Sequence, residues 1–88
     1  MVQQTVKLMN PTGLHLRPAG VFCDTAYQFP CKITFAHGIS IGSAKSILSV
    51  LGACIKCGDE ITIMCDGPKE DEALRAMVEA VNSGLGEE

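Results

Sequence analysis

Gly13-Leu14-His15-Leu16-Arg17-Pro18-Ala19 is a stretch in which the chain leaves a turn and enters a helix, with a histidine at the junction. Pro18 fixes its own φ near the helical value and has no N–H to donate, so it suits the first turn of a helix and nowhere deeper. The helix is therefore predicted to start at about residue 16. The amides of Leu16 and Arg17 then lack intrahelical acceptors and point toward the His15 ring, with the positive end of the helix dipole behind them. Such a place attracts anions. The Arg17 guanidinium adds a fork of donors whose geometry suits phosphate oxygens and whose charge does not titrate away. A neutral imidazole is a competent nucleophile, and no catalytic serine or cysteine nearby in sequence marks a hydrolytic site. His15 is read as a phosphoryl acceptor, with Arg17 neutralising the transferred group.

Outward from this stretch, Val2 to Met9 reads as a strand with Val2, Gln4, Val6 and Leu8 on one face, and Asn10 to His15 as a turn. The helix from residue 16 is predicted to run to about Tyr27. Ala19, Phe22, Cys23 and Ala26 face inward, and Leu16, Gly20 and Asp24 face out. Cys31 to Ala36 alternates as a second strand, His37-Gly38 supplies a tight hairpin turn, and Ile39 to Gly42 returns as a third. His37 is read as a turn residue rather than a ligand. Ser46 stands as an N-cap before Ile47, Leu48, Val50 and Leu51, a short helix ended by Gly52 or Gly58. Glu60 to Cys65 is an alternating strand. After Asp66-Gly67-Pro68 the last helix has Glu70, Asp71 and Glu72 in its first turn, a stripe of Leu74, Met77, Val78 and Val81, and Gly84 as C-cap. The order βαββαβα, with strands apolar on one face only, predicts an antiparallel sheet with all three helices on the same side. The pattern is a split βαβ motif with one added helix.

At 88 residues the chain is read as one domain, residues 1–88, because smaller pieces could not bury a core unaided. There is no apolar run long enough to cross a bilayer and no signal-peptide pattern, so a cytoplasmic protein is expected. The net charge of −3, with only 7 scattered Lys and Arg, leaves no nucleic-acid footprint, and partners are expected to be proteins. Five cysteines are an odd number in a reducing compartment, which argues against a disulfide framework. Cys31 and Cys65 fall on the core side of their strands. Cys54 and Cys57 have redox or metal spacing but lack a second pair, so they are read as neutral thiols; no metal or cofactor is called for.

The motif around His15 resembles the active-site signature of the HPr family, the histidine phosphocarriers of the bacterial phosphoenolpyruvate:sugar phosphotransferase system. The likeness covers nearly the whole chain: Gln3-Gln4-Thr5-Val6, then Gly13 to Ala19, Ala44-Lys45-Ser46-Ile47-Leu48, Gly58-Asp59-Glu60-Ile61-Thr62-Ile63, and a final helix that starts acidic. The resemblance implies an α+β open-faced sandwich with strand order 1-4-2-3. It also implies a carrier without turnover of its own, phosphorylated on Nδ1 of His15 by Enzyme I and discharged by enzyme IIA domains in sugar uptake. In HPr proteins of many Gram-positive bacteria the serine matching Ser46 is the target of an ATP-dependent HPr kinase/phosphorylase. Carbon catabolite regulation through a transcription factor is therefore implied as well, and Ser46 can be both N-cap and phosphorylation site.

Leu16, Gly20, Ile47, Leu48 and Leu51, rimmed by Arg17 and Lys45, are read as the partner-docking surface, though Ile47 and Leu51 suit the core equally well. The chain departs from the family pattern at Leu16, usually small; along the hairpin from His37 to Ser46, displaced by one residue; and at Cys54, usually glycine. Two rivals remain at this level: a regulator acting only through phospho-Ser46, which the intact His15 and Arg17 disfavour, and a thiol or metal module on Cys54 and Cys57.

Overall fold

The computed structural model describes residues 1–11 and 13–85; Thr12, within the predicted turn, lies outside them. The elements are β1 (Val2–Lys7), α1 (Leu16–Tyr27), β2 (Lys32–His37), β3 (Ser40–Ser43), α2 (Ile47–Gly52), β4 (Glu60–Asp66) and α3 (Glu70–Asn82). The four strands form one sheet in the order β1-β4-β2-β3, every neighbouring pair antiparallel. α3 lies on β1 and β4 and packs against α1, while α2 packs against α1 and β3. The other face of the sheet is bare of helices and carries polar residues such as Thr5 and Thr62, whose hydroxyls meet across β1 and β4 at 2.8 Å.

The core lies between sheet and helices. Ile33 and Phe35 from β2, Ile61, Ile63 and Cys65 from β4, and Ala19, Phe22, Cys23 and Ala26 from α1 are buried. Phe22 meets Phe35 edge to face, with ring centroids 6.1 Å apart. β2 and β4, the central strands, contribute alternate residues to this layer, as the period of two requires. From α3, Ala73, Met77 and Val81 are buried, with Leu74 and Val78 beside them half-buried. Burial pushes the Cys65 thiol, with Cys31 alongside, up to about 11. Both cysteines pack as small apolar side chains, as expected.

α1 and α2 begin where the sequence predicts. α3 ends on a Schellman turn: Gly84, with φ +88°, follows Ser83, and the Leu85 amide donates back to Ala80 O at 3.0 Å. The hairpin differs by one residue. His37 is the last residue of β2, paired with Ser40, and the two-residue loop is Gly38-Ile39. Gly38 takes the left-handed φ of +62° that the loop needs. β3 accordingly runs from Ser40 rather than Ile39, and β1 stops at Lys7 rather than Met9.

Candidate functional site

His15 is the N-cap of α1, with extended backbone (φ −77°, ψ −178°), and its side chain makes no capping bond. Its carbonyl accepts the first helical bond, from Ala19 N at 2.8 Å. The helix has no acidic residue in its first turn. The amides ahead of Pro18 therefore meet no carboxylate of this helix, and the imidazole of the N-cap residue is exposed. Arg17 is exposed in the same turn while Pro18 behind it is buried, so the proline anchors the helix start and leaves the guanidinium free to reach an anion.

The segment before His15 is fastened on two sides. Asn10 Nδ2 donates to Gly13 O at 2.6 Å, and Gly13 N donates to Asn10 O at 3.1 Å, closing the turn. Leu14 N donates to Ile55 O at 3.0 Å. Gly13 is obligatory here: a Cβ on it would stand 2.5 Å from Ile55 O and 2.7 Å from Lys56 Cα, and its φ of +64° is left-handed. The loop between α2 and β4 thus lies directly against the chain that carries His15. Leu14, His15, Leu51, Cys54, Ile55 and Lys56 line the resulting cavity of about 420 Å³.

Ser46 is the N-cap of α2, its Oγ accepting from Ser49 N at 3.3 Å. A second, shallow cavity of about 600 Å³ joins α1 to the start of α2, and Leu16, Gly20, Ile47 and Leu48 line it together with Tyr27 and Ser46. Leu16 and Leu48 are 68% and 79% exposed and line the same cavity, so their apolar surfaces form one patch. Ile47 is half-buried. Leu51, grouped with these residues in the sequence reading, lies instead in the cavity beside His15. Lys45 is not a free rim charge: its Nζ donates to Phe29 O at 2.7 Å and Cys31 O at 2.9 Å.

Other residues escaped sequence reasoning. His37 uses both ring nitrogens, Nδ1 toward Ala53 O at 3.1 Å and Nε2 toward Asp59 Oδ2 at 3.0 Å. Cys54 has a left-handed φ of +53°, which explains why glycine is usual at that position; the departure itself was the available signal. Cys54 and Cys57 are exposed, and among the described residues no cluster of three His, Cys, Asp or Glu side chains is placed to hold a metal ion. No described helix is long and apolar enough to cross a membrane.

A family model described as the PTS HPr component phosphorylation site matches residues 2–83. A phosphocarrier protein HPr from Treponema pallidum is 34% identical over 88 residues, covering all of both chains. One from Mycoplasma capricolum is 38% identical over 77 residues, 88% of this chain and 86% of the relative. The crystal structure of HPr-C-His from Thermoanaerobacter tengcongensis superposes with a TM-score of 0.96 at 34% identity, covering 100% of this chain and 99% of that one.

Proposed function

Because the chain belongs to the HPr family, phosphocarriers of the phosphotransferase system rather than enzymes, we propose that it accepts a phosphoryl group from phosphorylated Enzyme I on His15 and donates it to enzyme IIA domains in sugar uptake. The observation that carries this assignment is His15 as a helix N-cap whose ring makes no capping bond, beside free amides and Arg17. A neutral ring nitrogen of His15 attacks phosphorus, and the new N–P bond forms as the bond to the donor breaks, the donor atom keeping the electron pair. The chain's own contribution is position and charge: the α1 amides and Arg17 meet the phosphoryl oxygens in both directions of transfer. Leu16, Gly20, Ile47 and Leu48 give the partners an apolar patch that begins at the residue after His15. Leu51 contributes from the cavity beside His15. The reaction belongs to the cytoplasm, where phosphoenolpyruvate and these partners meet.

Ser46 is a second phosphorylation site in this reading, modified by an ATP-dependent HPr kinase/phosphorylase, with the phosphoserine form read by a catabolite-control transcription factor. Its position as N-cap supports this, since a phosphate there meets helix amides rather than the core. The primary assignment is tested by incubation with phosphoenolpyruvate and Enzyme I, followed by intact-mass measurement. The parent is expected to gain one phosphoryl group, stable in base and labile in acid. A His15→Ala variant that still gained it would overturn the assignment.

A further inference from the structure

We propose that Lys56 is a second phosphate-binding cation of the carrier site, closing on the phosphoryl group from the α2–β4 loop while Arg17 and the α1 amides close on it from the helix. The inference rests on His15 being the phosphoryl acceptor. Lys56 lines the same cavity as His15, whose other walls are Leu14, Leu51, Cys54 and Ile55. Those walls are largely apolar, and a phosphoryl group carries about two negative charges near neutral pH, of which one guanidinium balances one.

The backbone of Lys56 is fixed relative to His15. Its Cα would stand only 2.7 Å from a Cβ on Gly13, so the two segments touch main chain to main chain. Leu14 N donates to Ile55 O, one residue away. The loop is closed on itself by Lys56 N donating to Asp59 Oδ2 at 2.9 Å and Asp59 N donating to Lys56 O at 3.0 Å. The side chain, by contrast, is exposed and makes no hydrogen bond or ion pair among the described residues, its charge reaching the Asp59 carboxylate only through space. The carboxylate of the same loop, Asp59, is already engaged by the Lys56 amide and His37 Nε2. The other lysine near the start of α2, Lys45, is held by two carbonyls.

The test uses the full chain, phosphorylated with phosphoenolpyruvate and Enzyme I and then freed of Enzyme I. The readout is the second ionisation of the phosphoryl group on His15, followed by phosphorus NMR as pH is varied. Lys56→Met is expected to take up the phosphoryl group and keep the parent's thermal midpoint, while that ionisation moves up by about half a pH unit. Lys56→Arg is expected to restore it, and Lys32→Met, which removes the same charge from β2, to leave it unmoved. An unchanged ionisation in Lys56→Met overturns the proposal: with slower transfer from Enzyme I it would make Lys56 a partner contact, and with unchanged transfer a bystander. A parent chain that takes no phosphoryl group on His15 would fail earlier, at the mass measurement, and remove both readings together.

Discussion

His37 and Asp59 clamp the end of β2 to the loop that lies against the segment before His15, imidazole Nε2 standing 3.0 Å from Asp59 Oδ2 while Nδ1 stands 3.1 Å from Ala53 O. Both partners are acceptors, so both contacts are hydrogen bonds only when the ring holds two protons. The loop spanned by the clamp carries Ile55 and Lys56 against Gly13 and Leu14. A chain of contacts thus runs from the hairpin, through the loop, to the backbone that presents His15.

His37→Ala removes both contacts at a half-buried position, and at about 1 kcal/mol for each hydrogen bond the ring's protons allow, one or two, the variant should lose about 1–2 kcal/mol. The measurement is urea unfolding, where the midpoint should fall with an unchanged slope. Hydrogen exchange at the Leu14 amide, which donates to Ile55 O, should quicken as the loop loosens. A variant with the parent's midpoint would reduce the clamp to a surface contact.

Asp59 predicts the acid limb of stability. The amide of Lys56, against the opposing effect of burial and aided by His37, holds its carboxyl below the usual range. The unfolded chain therefore binds the proton more readily than the folded one. The carboxylate's contribution is fully present above the unfolded value of about 3.9, and it is lost as pH falls through the lower folded value. Glu70, held low by the amide of Gly67, acts in the same direction. Asp59→Asn keeps an oxygen to accept from Lys56 N but cannot titrate. Its thermal midpoint should consequently depend less on pH than the parent's below about pH 4. Parallel curves for the two proteins would contradict the argument.

What could be read from the sequence were the features with a local cause. Pro18 set the start of α1, Ser46 capped α2, and alternation in Cys31 to Ala36 and Glu60 to Cys65 put the right side chains into the core. The place of His15 just ahead of α1 was legible for the same reason, since its neighbours along the chain make its environment. The hairpin was displaced by one residue because His37 beside a glycine looks like a turn residue; what holds it in β2 is Asp59 and Ala53, many positions away. Lys45 read as a free charge because the carbonyls that occupy it belong to the segment after α1. Strand order and the meeting of Gly13 with Lys56 are likewise products of long-range pairing, which periodicity does not encode.

Lys45 is a structural cation. It serves two carbonyls, Phe29 O and Cys31 O, in the connection that leaves α1, and it holds that connection against the start of α2. Lys45→Met keeps most of the apolar stem but leaves both half-buried carbonyls without their donor. Charge-assisted bonds exceed neutral ones, and the site is open enough for water to return, so a loss of about 2 kcal/mol is expected. Chemical denaturation measures it. A variant as stable as the parent would restore Lys45 to the docking rim.

Ser46 joins helix stability to the proposed regulation, and the two can be separated. Its Oγ accepts from Ser49 N at 3.3 Å, so Ser46→Ala should cost about 1 kcal/mol. Ser46→Asp keeps an oxygen at the cap and adds a negative charge at the positive end of α2, so its melting should match the parent's. Transfer should not match. Ser46 lines the same shallow cavity as Leu16 and the 79%-exposed Leu48, and a partner that buries those leucines must strip water from the new charge. Phosphorylation of His15 by Enzyme I is therefore expected to slow at least tenfold in Ser46→Asp, since about 1.4 kcal/mol of lost binding suffices for that. Enzymatically phosphorylated chain, with nearly twice the charge, should be slower still. Melting and transfer measured on one preparation decide the matter: parent-like transfer in both forms would leave Ser46 as a helix cap and nothing more.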